Sequence, residues 1–550
     1  MKKRFMAAVA LTTSLALLSA CGADTEADRK EAASKAEASS DDQVTGPGEF
    51  PITKEKTTLK VMVKGSSVVE NFATNEFTKW LEEKTNIHIE WEVAPEKTFA
   101  EKLNVSLASG DYPDVLLSMS VSPIQQSIYG KDGVFIPLNS YIDKYGVEMK
   151  KMFGQISYVK DLITLPDGKI YSVPQVNDCY HCSLGQKMWI YQPWLDKLGL
   201  KMPTTTEEFY QVLKAFKEKD PNGNGKADEI ALVGATNGPS STLDLFLTSA
   251  FIEKDFNLKY VKDGKVQVAY NQPEWKEALK YISKLYAEGL VSPQTFTQDR
   301  AKLKQMGLNP EIPIVGAIAS QNQTVFSDVD NPRFKDFVAV PPLQGPGGVR
   351  STAYNPYAVS TGQFVITNKA KNPAAAFRLA DLLLSQEATL RSTQGRPGQE
   401  WDWAAPGEIG VNGKPAVWKT IAPNGKLQNV HWAQAGPSLR TNDLRLSVAA
   451  DPKNSLELIL FNETKKYEPY KLAMDKIVPP VFFTNEQAEE LSNLEKSLTD
   501  YRTEFFAKTV TGSLDVEKEW NNYLNTLEKM NIKRYLEIYQ DAYKQYHAKK

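Results

Sequence analysis

"TTLKVMVKG" (Thr57–Gly65) opens the stretch whose reading decides the fold, and "PDVLLSM" (Pro113–Met119) closes it. The first is rich in β-branched and apolar residues and predicts a strand. "NEFTKWLEEKTN" (Asn75–Asn86) puts Phe77, Trp80 and Leu81 on one face of a helix. "IHIEWEVAP" (Ile87–Pro95) alternates and predicts a second strand, and "EKLNVSLASG" (Glu101–Gly110) predicts a helix ended by its glycine. "PDVLLSM" predicts a third, fully buried strand. Strand, helix, strand, helix, strand argues for a parallel sheet with helices on both faces. Ligands of such sheets bind beyond the carboxyl ends of the strands, which places Ser118 and Ser120 at a mouth.

Working outward, 550 residues are too many for one compact core, so two or three lobes are expected. Net charge is −2, and −5 without the first twenty residues, which carry Lys2, Lys3 and Arg4. An acidic balance speaks against a nucleic-acid partner. Those first residues read as a targeting device. "MKKR" is basic, and "FMAAVALTTSLALL" is apolar but too short for a comfortable membrane span. "LSAC" (Leu18–Cys21) resembles the bacterial lipoprotein signal, which implies cleavage before Cys21 and lipid on its sulfur. Two acyl chains hold a protein at a membrane where one does not. Residues 22–50 are small, charged and free of aromatics until Phe50, and predict a flexible tether, so the linker is set at residues 21–55.

Further along, "GKIYSVPQVND" (Gly168–Asp178) predicts a strand that leads to a crossing between lobes. "TTTEEFYQVLKAFKEKD" (Thr204–Asp220) predicts a helix whose capping signal is read at Thr206 with Glu207 and Glu208 behind it. In "PEWKEALKYISKLYAEGLVSP" (Pro273–Pro293), Trp275, Leu279, Ile282 and Tyr286 form a core stripe. Short strands follow in "IPIVGAIAS", "FVAVPPL" and "QFVITN", and the chain from Asn485 is mostly helical. Cys179 and Cys182 flank His181 in "CYHC". A local disulfide, a free dithiol and half of a zinc site all use that spacing.

"KLNVSLASGDYPDVLL" (102–117), "WLDKLGLKMPTTTEEFYQVLKAFKEKDPNGNGKADEIAL" (194–232), "NPAAAFRLADLLLS" (372–385) and "WNNYLNTLEKMNIKRYLEIYQDAYKQY" (520–546) resemble the extracellular solute-binding lipoproteins of carbohydrate ABC importers. They are similar in particular to the branch of alginate-oligosaccharide-binding proteins. The resemblance implies an α/β fold of two lobes, each a mainly parallel sheet flanked by helices, joined by crossing hinge strands. Its expected boundaries are 56–174 plus about 356–392 for the first lobe, and 175–355 plus about 393–550 for the second. It implies a monomeric, lipid-anchored protein on the outer face of a bacterial cell membrane that captures an oligosaccharide and delivers it to a permease. The branch carries a basic residue before its "WLDKLG"; here the lead-in is "IYQP", which leaves an acidic ligand in doubt, and the expected ligand is a neutral or mildly acidic oligosaccharide.

In "DPNGNGKADE", Asp220, Asn222, Asn224, Lys226 and Asp228 fall at alternate positions and Glu229 follows. Calcium takes six to eight oxygens, and the spacing copies the first nine positions of an EF-hand loop. Position twelve is Ala231, so the loop is not a complete EF-hand. The resemblance implies calcium held by the side chains of Asp220, Asn222, Asn224, Asp228 and Glu229 and the Lys226 carbonyl, in a structural role.

Sugars need aromatic faces and planar polar groups. Trp401, Trp403 and Trp432 lie in Gly/Pro-rich segments without a helical or strand period. With Tyr354, Asn355 and Tyr357 near a return crossing, and Gln175, Asn177 and Asp178 near the outward one, they are the candidate sugar contacts, together with Ser118 and Ser120. Other classes remain open. A glycosidase needs only two placed carboxylates, although G-x-S-x-G, H-E-x-x-H and P-loop motifs are absent. A sensing or adhesion lipoprotein would use the same closing fold. Replacing Cys21→Ala is expected to release the protein to the medium or leave it unprocessed; a variant still as firmly membrane-associated as the parent would overturn the lipoprotein reading.

Overall fold

The structure is a computed structural model, described for residues 43–238, 240–308, 311–422, 427–451 and 456–548. Cys21 and most of the expected tether lie outside the described residues.

Fourteen strands are described: β1 Thr57–Lys64, β2 Ile87–Ala94, β3 Val115–Leu117, β4 Ser172–Asn177, β5 Met188–Tyr191, β6 Ile230–Val233, β7 Lys259–Lys262, β8 Lys265–Val268, β9 Val315–Ala319, β10 Phe337–Val340, β11 Val359–Ile366, β12 Trp401–Trp403, β13 Trp418–Thr420 and β14 Leu439–Arg440. The first sheet runs β14-β4-β11-β3-β1-β2. β1 pairs parallel with β2 and β3, and β14 pairs parallel with β4, while β11 runs against β3 and β4. Position in the sheet explains the sequence patterns. β1 is central, with Val61, Met62 and Val63 all buried; β2 is the edge and alternates, with Ile87 and Ile89 inside and Glu90 and Glu92 outside.

The second sheet, β10-β5-β9-β6, is mixed rather than mainly parallel. Of the neighbouring pairs only β6 and β9 are parallel; β5 is antiparallel to both β9 and β10, so it alone runs against the other three. The cause is connectivity. β5 enters straight from the crossing, so it points away from the first lobe, whereas the carboxyl ends of β6, β9 and β10 point back toward it.

Helix Thr206–Glu218 is capped by Thr205, one residue before the expected position, and Glu208 closes the capping box. Trp275, Leu279 and Ile282 are fully buried in the second lobe's core, as their stripe predicts, and Tyr286 is half-buried against it. The C-terminal helices Asn485–Val510, Val516–Lys529 and Ile532–Ala548 pack on that core.

Two expected boundaries move. Residues 43–55 are docked on the first lobe: Val44 and Ile52 are buried in its core, and the buried Arg378 donates to the carbonyls of Thr45 and Glu49. Arg378 belongs to helix Pro373–Leu383, whose residues are all buried. Its Asp381 accepts N–H bonds from Val147, Glu148 and Met149 and so caps helix Glu148–Gln155. The second shift concerns the chain past residue 392, expected in the second lobe. β14 returns to the first sheet, and Trp432 is buried in the first lobe's core. A small separate core of Leu390, Trp401, Val411, Trp418 and Val448 lies between.

The chain therefore passes between the lobes three times among the described residues: after β4, before β11, and between β14 and helix Leu456–Lys465. Cys179 and Cys182 are disulfide-bonded in the first passage, with Cα atoms 5.1 Å apart. A further segment, Ile477–Phe483, touches both bodies. Phe482 packs with the first-lobe cluster of Leu165 and Tyr171, while Phe483 stacks edge-on to Tyr539 of the second lobe at 5.2 Å.

Candidate functional site

The carboxyl ends of both sheets converge on the passages, and the sequence-predicted residues divide into two groups there. At the end of β3, Ser118 and Ser120 adopt left-handed φ of 54° and 53°. β11 presses against this bend at Gly362, where a Cβ would lie 2.0 Å from the Val121 carbonyl. Ser118 Oγ donates to Gln363 and accepts the Gly436 N–H, and Ser120 is exposed. Gln175 donates from Nε2 to the carbonyls of Gln434 (2.7 Å) and Gly436 (2.9 Å). Asn177 accepts from Arg445, and Asp178 accepts the Asn442 N–H. Burial raises the Asp178 carboxyl. Gln175, Asn177 and Asp178 thus hold the 434–445 segment against β4, and their side chains are engaged in that task.

The second group lines a cavity. Tyr354, Asn355 and Tyr357, on the return passage, face the Asp255–Lys259 turn, the Ile477–Phe483 segment, Glu495 and Tyr539 around about 480 Å³. Tyr357 lies edge-on to Tyr158 of the first lobe at 5.3 Å and hydrogen-bonds Tyr546 of the last helix. Tyr158 in turn donates to the Pro356 carbonyl at 3.0 Å. Burial raises the Tyr354 phenol, with Asp178 and Glu468 adding to it. Lys259 donates to Tyr535 (2.9 Å) and Tyr539 (3.2 Å) and lies 3.5 Å from Glu495. Asp255 accepts the N–H groups of Asn257 and Lys259. The wall is aromatic, and its charges are already opposed, which suits an uncharged polyhydroxylated ligand. Sequence reading missed Asp255–Lys259, Glu495 and Tyr539. The last two read as ordinary helix positions, and only the tertiary fold brings them beside the return passage, with Tyr539 half-buried and Glu495 still exposed.

Two of the three candidate tryptophans are core residues. Trp432 is 1% exposed, crosses Phe77 at 4.7 Å and Trp91 at 5.2 Å, and donates to Thr78. Trp401 is 0% exposed and donates from its indole to the Gly395 carbonyl at 2.8 Å. Neither offers a ring face to a ligand. Loop placement misled because each buries its ring against segments distant in sequence. Trp403 alone keeps an open face, at 46% exposure, edge-on to Trp401.

The 220–229 loop joins helix Thr206–Glu218 to the start of β6, at the end of the second sheet away from the passages. Asp220, at φ 46°, accepts the N–H groups of Gly223, Asn224 and Gly225. Gly223 and Gly225 take φ of 78° and 74°, which closes the wrap. Asp228 accepts from the amide groups of Asn222 and Asn224. Lys197 clips the loop to its neighbouring helix through the Pro221 carbonyl, and Lys217 reaches the Glu229 carbonyl. Glu229 is 2% exposed and its Oε1 has no hydrogen-bond partner. An orphaned buried carboxylate oxygen facing two more carboxylates fits a cation. Turning the two Asn amides about their last bonds would exchange nitrogen for oxygen toward it. The Cys179–His181–Cys182 group is the described cluster whose atoms approach metal-site spacing, but its sulfurs are joined to each other.

Comparison with known proteins places this geometry. Residues 61–390 match the family model described as bacterial extracellular solute-binding protein. The chain belongs to that family. It is 32% identical over 99% of its length, and 98% of the relative's, to the fructooligosaccharide ABC transporter substrate-binding protein FusA of Streptococcus pneumoniae. It is 28% identical to lipoprotein LipO of Bacillus subtilis, over 63% of this chain and 68% of that one. A solved structure of S. pneumoniae FusA in complex with kestose superposes with a TM-score of 0.73 at 28% identity, covering 90% of this chain and all of that one. The alginate-binding protein AlgQ2 shares the fold, with a TM-score of 0.60 at 24% identity over 90% of this chain and 99% of that one. Since Trp401 is a core residue of this family member, Trp401→Ala is expected to cost about 3–5 kcal/mol of stability. Chemical denaturation checks this, and an unchanged midpoint would put Trp401 outside the core.

Proposed function

We propose that this solute-binding protein captures an oligosaccharide between its lobes, closes on it, and hands it unchanged to a membrane permease, working from a lipid anchor on the outer face of the cell. The observation that carries the reading is the aromatic cavity at the passages, whose one lysine, Lys259, faces Asp255 and Glu495, in a chain collinear with a relative whose name specifies fructooligosaccharide binding. Passages that bend by small dihedral changes allow the two cores to move as bodies. A ligand favours the closed state only through its greater affinity for it. Tyr354 and Tyr357 supply aromatic area from the passage; Ser120 stands at the first lobe's edge. Trp403 offers an exposed ring on the small inserted unit. No covalent step is assigned to any residue. Small-angle scattering with and without kestose, together with analysis of the incubated sugar, tests this. Contraction with intact sugar is expected. Unchanged dimensions at saturation remove the closure step, and shorter sugars would make the protein an enzyme.

The same reading assigns a structural calcium to Asp220, Asn222, Asn224, Asp228, Glu229 and the Lys226 carbonyl. A second solved structure of FusA, at 27% identity and a TM-score of 0.72, is of an EF-hand mutant, so that relative carries an EF-hand. Burial, with the nearby charges of Asp220 and Asp228, raises the Glu229 carboxyl. For an acid, a raised folded-state value means that the metal-free fold holds a proton the unfolded chain releases. Its contribution is present at low pH and lost as pH rises through the unfolded and then the folded value. A bound cation reverses this by favouring the carboxylate. Chelation is therefore expected to lower Tm at neutral pH, with the difference shrinking in acid, and Glu229→Gln should flatten that trend. An EDTA-treated protein that melts unchanged and contains no calcium would refute the assignment.

A further inference from the structure

A second cavity, of about 420 Å³, adjoins the first in the second lobe. Both are walled by Phe256, Asn257 and Glu495, so one partition separates them. Its lining includes Ala235 and Thr236, which follow the carboxyl end of β6 on the side facing the passages. Each chamber alone has the volume of a small-molecule site, ~300–1,000 Å³. Inside the second, Arg502 lies 3.6 Å from Asp244, too far for a firm hydrogen bond. Both side chains are largely buried, at 18% and 12% exposure. Arg502 also stands 5.9 Å from the Tyr270 ring. A guanidinium that is poorly satisfied by its one carboxylate, beside an aromatic face, matches a pair of sugar hydroxyls: Arg502 donates to them and Asp244 accepts from them.

Charge decides the class of sugar. The cations lining the two chambers are Lys259 and Arg502; the lining carboxylates are Asp244, Asp255 and Glu495. Lys254, behind the wall, is fully buried and spends its donors on Gln186, the Leu245 carbonyl and Ser249. Among the described residues, each lining cation has an opposing carboxylate, so a ligand carboxylate would meet Asp244 or Glu495 uncompensated. We infer that the two chambers together hold an uncharged oligosaccharide of several units, and that the Asp244–Arg502 pair is the specificity-determining element that reads hydroxyls and rejects carboxylated sugars. This rests on the oligosaccharide reading above and names its substrate class.

The test is calorimetric titration of the full chain with inulin-type tri- and pentasaccharides and with oligogalacturonates of matched length. The neutral pentasaccharide is expected to bind more tightly than the trisaccharide. Its galacturonate counterpart should bind roughly tenfold more weakly or worse, the scale of one like-charge contact. Asp244→Asn should narrow that gap. Thr499→Trp, an exposed helix position on the chamber wall, should erase the gain from length while leaving trisaccharide binding in place, and serves if the Asp244 variant does not fold. Equal affinity for galacturonates, or no dependence on length, overturns the inference while leaving oligosaccharide capture standing. Failure of every sugar to bind overturns both.

Discussion

The backbone hydrogen bonds that join β14, β4 and β11 side by side are the constraint on which the rest depends. β4 is the last strand before the chain leaves for the second lobe, β11 the first after its return, and β14 the last before it leaves again. All three passages thus spring from one edge of one sheet. Three chains rooted together can bend in common but cannot slide apart, so the second lobe can rotate about this edge without shearing off it. The side chains that the sequence nominated beside β4 reinforce that edge: Gln175, Asn177 and Asp178 tie the 434–445 segment down. The disulfide between Cys179 and Cys182 stiffens the first passage just beyond it.

Two sites sit at opposite ends of the second sheet for different reasons. The 220–229 loop lies where β6 begins, far from the passages, and its carboxylates converge on one another. Such a site can pin a helix to a strand but cannot touch a ligand at the other end. One chamber begins past the carboxyl end of β6, at Ala235 and Thr236, and the other lies beside the return passage at Tyr354–Tyr357. Their walls are aromatic rings and opposed charges, which bind weakly polar, hydroxyl-rich surfaces without demanding a counter-charge.

Local features were legible in the sequence and assembled ones were not. The strands β1 to β3 and the 220–229 loop are written in consecutive residues, where period and spacing act directly. The capping residue was misplaced by one because three consecutive threonines offer the same hydroxyl, and only the backbone turn at Thr205 selects among them. Trp401 and Trp432 lacked a period, yet each finds a core through tertiary partners: Trp432 through Trp91, hundreds of residues away, and Trp401 through Trp418 and Val448. The hinge cavity draws on residues near 256, 355, 480, 495 and 539, five stretches with no common signal. The second lobe's mixed sheet follows from which end of β5 the passage enters, a topological fact that no local pattern records.

Phe482 and Phe483 are neighbours in the chain yet seat in different lobes, after a Pro479–Pro480 pair whose φ angles are locked. The segment works as a short, inextensible tie laid across a joint. Because its two ends are anchored on different bodies, such a tie limits how far the lobes can part. Less orientational freedom is then surrendered when the cleft shuts, and modest contacts, such as hydroxyls against tyrosine rings, are enough to tip the balance.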